Sequence, residues 1–153
     1  MKKIIFFILT LTLAFSACVS SQRWGCISGN CENGRGTYID SHGDKYVGQF
    51  EDGEPHGWGT ETRANSTSEK YVGQWEYGKP HGRGTVTDSN GNKYVGQFKD
   101  GGFHGEGTLT YSNGEKYVGQ FENGSEHGKG TLYDSKGKIL QKGTFHKGKY
   151  VGE

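Results

Sequence analysis

The sequence predicts an all-β protein built of successive β-hairpins, on three observations. A segment of about 23 residues returns four times, as KYVGQFEDGEPHGWGT at 45–60, KYVGQWEYGKPHGRGT at 70–85, KYVGQFKDGGFHGEGT at 93–108 and KYVGQFENGSEHGKGT at 116–131. Within each copy K-Y-V-G-Q-[FW] has the length of a strand, and its alternation puts Tyr, Gly and Phe or Trp on one face. Clusters of Asp, Asn, Gly and Ser, residues that supply turns, bound every such run.

The first seventeen residues stand apart from that fold. Lys2 and Lys3 precede the uncharged run IIFFILTLTLAF from Ile4 to Phe15, followed by Ser16, Ala17 and Cys18. Twelve helical residues reach only about 18 Å, well short of a hydrocarbon core of roughly 30 Å, so residues 1–17 read as a signal-peptide helix rather than a membrane span. The ending FSAC resembles the lipobox of bacterial lipoproteins, whose cysteine is diacylated and becomes the mature N-terminus. That resemblance implies a lipid on Cys18, a lipidated N-terminus and short tether over 18–22, and a membrane-anchored place in the bacterial cell envelope. Phe15 stands where the pattern usually has Leu, which leaves ordinary cleavage after Ser16 and a secreted or periplasmic chain as the alternative. Either route delivers the chain to an oxidising compartment.

Loss of residues 1–17 removes Lys2 and Lys3 and no acid, so eighteen basic residues become sixteen against seventeen acidic ones, a formal charge of −1. With no Lys/Arg run, nucleic acid is excluded as a leading partner. The 28 glycines stand against only about 18 Leu, Ile, Val and Phe residues beyond residue 17, too few for an ordinary packed core. Regular placement of the aromatic residues argues for order rather than disorder.

Over 23–153 the period is tight. The first glycine of G-x-G-T falls at Gly34, Gly57, Gly82, Gly105 and Gly128, in steps of 23, 25, 23 and 23 residues. The two extra residues sit in RANSTS at 63–68, which lacks the glycine of the other hairpins and predicts a longer, looser loop. Each unit reads as a first strand, a turn, a second strand beginning H-G-x-G-T and a hairpin. Tyr46, Gly48 and Phe50 share one face, as do Tyr71, Gly73, Trp75; Tyr94, Gly96, Phe98; and Tyr117, Gly119, Phe121. Gly57 and Gly59 are expected to share a face of the second strand, with Gly82 and Gly84, Gly105 and Gly107, and Gly128 and Gly130 repeating them. A row of glycines leaves a trough that rings of neighbouring strands can cover, offsetting the entropy that glycine loses in a strand.

The pattern Y-x-G-x-[FW]-x-x-G-x-x-H-G-x-G-T, at Tyr46–Thr60, Tyr71–Thr85, Tyr94–Thr108 and Tyr117–Thr131, resembles the MORN repeat. RWGCISGNCENGRGT at the front and QKGTFHKGKYVG at the back keep its spacing loosely. The resemblance implies an elongated, single-layer, twisted antiparallel sheet of four full repeats with partial repeats at each end. Strand spacing makes this a ribbon of about ten to eleven strands, near 50 Å long. In the repeat frame Cys26 replaces Gln49 and Cys31 replaces Glu54, flanking a turn, so a disulfide would staple the first strands. Two free thiols or half of a metal site are the alternatives.

Chemistry of other kinds finds little support. His56, His81, His104 and His127 recur two strands apart, roughly 9–10 Å, too far to share one zinc, and are expected to pack at the start of the second strand and bond the turn; His42 and His146 are expected to be exposed. Asp88-Ser89-Asn90-Gly91 and Asp134-Ser135-Lys136-Gly137 are turn signatures rather than parts of a triad. No glycine loop opens a helix, so no nucleotide cradle, cofactor or catalytic metal is expected, and the chain reads as a non-enzyme. The sequons at Asn65 and Asn123 matter only in a eukaryotic secretory route.

MORN proteins include membrane-attached modules, scaffolds and non-catalytic regions of enzymes, which implies a binding or scaffold module here. The expectation is an aromatic-rich face presented to a protein partner, with direct phospholipid binding as the alternative and glycan stacking or an undetected hydrolase a remote third. The competing expectation is that the aromatic rings only roof the glycines. Open edge strands also make edge-to-edge self-association possible.

Overall fold

The computed structural model describes residues 25–64 and 69–153. The expected signal peptide over 1–17, Cys18 and the expected tether over 18–22, and residues 65–68 with the Asn65 sequon and most of the longer loop, lie outside the described residues. Twelve strands follow one another in space as in sequence and form one open antiparallel sheet. They are β1 (Gly25–Gly29), β2 (Gly34–Ile39), β3 (Lys45–Glu51), β4 (Glu54–Thr62), β5 (Lys70–Glu76), β6 (Lys79–Thr87), β7 (Lys93–Lys99), β8 (Gly102–Thr110), β9 (Lys116–Glu122), β10 (Ser125–Tyr133), β11 (Ile139–His146) and β12 (Lys149–Gly152). The count exceeds ten to eleven because the partial units at both ends still pair as hairpins.

The second strand of each repeat begins two residues before the histidine. Glu51 pairs with Glu54 across Asp52-Gly53, both at positive φ (48° and 79°), the conformation of the tight hairpin turn whose twist matches its strands. Tyr77-Gly78, Asp100-Gly101, Asn123-Gly124 and Lys147-Gly148 repeat it. Three of the intervening hairpins use an aspartate: Asp40 Oδ1 accepts from the N–H groups of His42 and Asp44, and Asp88 and Asp134 do the same in their turns.

With a single layer, the core lies on one face of the sheet. Tyr46, Phe50, Tyr71, Trp75, Tyr94, Phe98, Tyr117, Phe121 and Phe145 are all buried, and Tyr94 and Tyr117 are fully so. Rings meet edge to face within each strand (Tyr94–Phe98, 5.1 Å) and between repeats (Tyr46–Trp75 5.0 Å, Tyr71–Phe98 4.9 Å, Tyr94–Phe121 4.9 Å, Tyr117–Phe145 4.9 Å). Each tyrosine lies flat over the glycine of its own strand and over the facing glycine of the next: a Cβ on Gly96 or Gly107 would come within 2.5 Å of Tyr94. The hydroxyl donates to a main-chain carbonyl beyond, Gln97 O at 2.8 Å for Tyr94, so the buried polar tip is satisfied. Trp75 Nε1 alone among the described buried side-chain nitrogens and oxygens has no partner.

The ladder is closed differently at its two ends. Cys26 and Cys31 are joined by a disulfide, with Cα atoms 5.9 Å apart. Cys31 packs against the ring cluster, and a Cβ on Gly36 would come within 2.6 Å of its sulfur, so sulfur stands where the repeats place a tyrosine. At the other end Phe145 touches Tyr150, and the Gly152 carbonyl closes over Gly143.

Candidate binding face

Alternation sends the remaining side chains to the opposite face. Lys45, Val47, Gln49 and Glu51 of β3 point there and recur in β5, β7 and β9, with Lys99 in place of the third glutamate. Register joins the strands into rows. Thr37, Val47, Thr60, Val72, Thr85, Val95, Thr108, Val118 and Thr131 are successive cross-strand partners, an unbroken β-branched row. A parallel row sets Arg35 against Gln49, Trp58 against Gln74, Arg83 against Gln97 and Glu106 against Gln120.

Shallow open grooves of about 460 and 620 Å³ run along these rows and meet at Glu106. The first is floored by Gly84 and Gly96 and flanked by Trp58, Arg83, Val72 and Val95; the second passes Lys129 and Lys142 to Glu153. Trp58 is 55 % exposed and the four valines 38–47 %, whereas no ring of the ladder exceeds 6 %.

A β-bulge shapes this face. Gly48 pairs with Gly59 but Gln49 pairs with His56, so Gly57 and Trp58 have no counterpart on β3. Gly57 takes φ +60°, and a side chain there would meet the amide of Gln49. That amide oxygen accepts from Trp58 N–H at 2.7 Å, and Gln74, Gln97 and Gln120 hold Arg83, Glu106 and Lys129 in the same way at 2.8, 3.1 and 3.0 Å. The expectation that Gly57 and Gly59 share a face therefore fails, as it does for the pairs at 82 and 84, 105 and 107, and 128 and 130. Gly59, Gly84, Gly107 and Gly130 lie under tyrosines; Gly57, Gly82, Gly105 and Gly128 are bulge residues at φ 57–62°. The glutamines went unremarked in the sequence, although their invariance in four copies at an exposed strand position was a readable signal.

The histidines bond a side chain rather than the turn backbone. His56, His81 and His127 lie 3.2–3.3 Å from Glu51, Glu76 and Glu122, and His104 belongs to the repeat in which Lys99 replaces that glutamate. These pairs are one-third to three-fifths exposed and contribute little stability. Among the described residues no group of His, Cys, Asp and Glu could hold a metal ion.

Burial gives the ladder phenols distinctive acidity. Tyr46, Tyr94 and Tyr117 are pushed up to about 12, chiefly by desolvation, and Tyr71 is raised for the same reason. Glu61 is a local anomaly: it occupies the site between Tyr46 and Tyr71 that holds Val86, Leu109 and Leu132 in the other repeats. Burial raises its pKa, Arg63 opposes that, and Asp44, Asp40 and Glu69 add to it.

A single sheet stapled by ring-on-glycine contacts, with one sealed and one open face, defines a repeat-based binding or scaffold module. The MORN repeat matches residues 46–68, 71–93, 94–116 and 117–139, and the chain belongs to the MORN-repeat family. Among curated proteins none matches the chain.

Proposed function

We propose that the protein is a non-catalytic binding or scaffold module of the bacterial cell envelope, held at a membrane by lipid on Cys18 and offering its valine and threonine face to a protein partner. The observation that supports this reading is the contrast in exposure: the ladder rings are buried, whereas Val47, Val72, Val95, Val118 and Trp58 lie open, with Val72, Val95 and Trp58 lining a groove. The aromatic rows are thus the roof of the fold, and the partner surface moves to the other side.

The test is capture from the native envelope by the full chain and by a Val72→Arg, Val95→Arg variant. Loss of capture with an unchanged melting transition supports the reading; capture that survives both substitutions contradicts it. Globomycin sensitivity with mass spectrometry of the mature N-terminus tests the anchor. Lys45, Lys70, Lys93 and Lys116, in one row on this face, favour direct phospholipid binding as the second reading. It requires salt-dependent binding to anionic liposomes that reversal of those lysines abolishes.

A further inference from the structure

We propose that the open face docks a second copy of this chain, face to face about a two-fold axis along β7; this rests on the reading of that face as the binding surface. On the valine and threonine side, the residue between the glycines of H-G-x-G differs in every full copy: Trp58, Arg83, Glu106 and Lys129. Each is pinned through its N–H by a glutamine, so its identity varies while its position is fixed. Arg35 on β2 continues the row. Successive members lie two strands, about 9.6 Å, apart.

An axis along β7 lies midway between Arg83 on β6 and Glu106 on β8, and it reverses the row. Arg83 then meets Glu106 of the second copy, Glu106 meets Arg83, and Trp58 and Lys129 meet each other in cation–π contact. One step further out, Arg35 comes opposite β12, where Glu153 lines the groove. Moving the axis by one strand destroys the match. Along β6, Arg83 faces itself and Arg35 faces Lys129; along β8, Glu106 faces itself and Arg83 faces Lys129. Axes along β5 and β9 also bring unlike partners together, Trp58 with Arg83 and Arg35 with Glu106 in the first and Glu106 with Lys129 in the second, but each leaves part of the row beyond the end of the other sheet. The axis along β7 is the register that combines complementary charges with overlap of the whole row.

The apolar row follows the same symmetry: Val95 lies on the axis against its own copy, and Val72 opposes Val118. Lys93 and Lys99 also fall on the axis, Lys70 opposes Lys116 and Glu76 opposes Glu122, but these like charges lie at the two borders of the sheet, where long side chains carry their charge out to water. The row spans ten strand spacings, about 48 Å, and a strip roughly 15 Å wide gives ~700 Å² per copy, close to the ~800 Å² of stable complexes.

Sedimentation of the full chain in detergent solution tests this. The wild type sediments as a dimer. Arg83→Glu and Glu106→Arg each weaken it by about tenfold or more, and the two together restore it to within about threefold, because the reversed pair is again complementary. Val95→Cys crosslinks to a dimer under mild oxidation, and Val151→Cys at the sheet edge does not. A monomeric wild type at about 100 µM, a dimer indifferent to both reversals, or crosslinking through Val151→Cys overturns the proposal. A monomer that still captures an envelope protein through Val72 and Val95 overturns this inference and leaves the proposed function standing.

Discussion

The two faces of this sheet share one backbone and one 23-residue period, yet repetition means different things on each. On the ladder face an invariant tyrosine spans two glycines, and its burial supplies the core that the composition could not. On the open face the invariant Lys, Val, Gln and Thr make a frame, and the residue that varies is displayed between them. Invariance across internal copies marks packing on one side and positioning on the other.

The largest effect should come from adjacent residues on opposite faces. Tyr94→Ala removes a fully buried ring from two glycines and should destabilise by about 3–5 kcal/mol in urea melts, whereas Val95→Ala, 47 % exposed, should stay within about 1 kcal/mol. Equal losses would erase the distinction between the faces. Gly107→Ala probes the socket: its Cβ would come within 2.5 Å of Tyr94, so a loss of about 1–3 kcal/mol is expected by the same measurement.

Much of this was legible in the sequence. Period, strand alternation and glycine placement give the all-β ribbon and the face of Tyr46, Gly48 and Phe50. The bulge was not legible, because Gly57 and Gly59 read alike as alternate glycines, and only the register slip after Gly48 separates them. For the same reason the glutamines looked like ordinary exposed polar residues. The assignment of the aromatic rows to a partner rested on their recurrence along one face and on that face being open. Edge-to-face contact between repeats, which buries them, depends on how far each ring leans across the next strand.

Gln97→Leu tests the positioning role: Glu106 N–H loses its acceptor, at a cost of about 1 kcal/mol in the melts, and the display of Glu106 loosens. The smallest effect at neutral pH concerns Glu61, the polar intruder on the ladder face. Its folded pKa is raised, so the folded chain holds the proton to higher pH than the unfolded chain, and its contribution is present in acid and lost as pH rises through that titration. Glu61→Leu, the residue of two other repeats, should raise stability at pH 7 by about 1 kcal/mol and flatten the acid limb of stability against pH. An unchanged pH profile would remove Glu61 from the account.

Sealing of the tyrosines is best tested by ultraviolet titration of the folded protein. With Tyr46, Tyr94 and Tyr117 raised to about 12, stability should fall as pH climbs from about 10 towards 12, since unfolding frees phenols to ionise near their ordinary value. The expected trace has one group of the nine tyrosines ionising reversibly and another ionising only as the sheet unfolds. If all nine ionise reversibly as one population near pH 10 while the sheet stays folded, the rings are not the core.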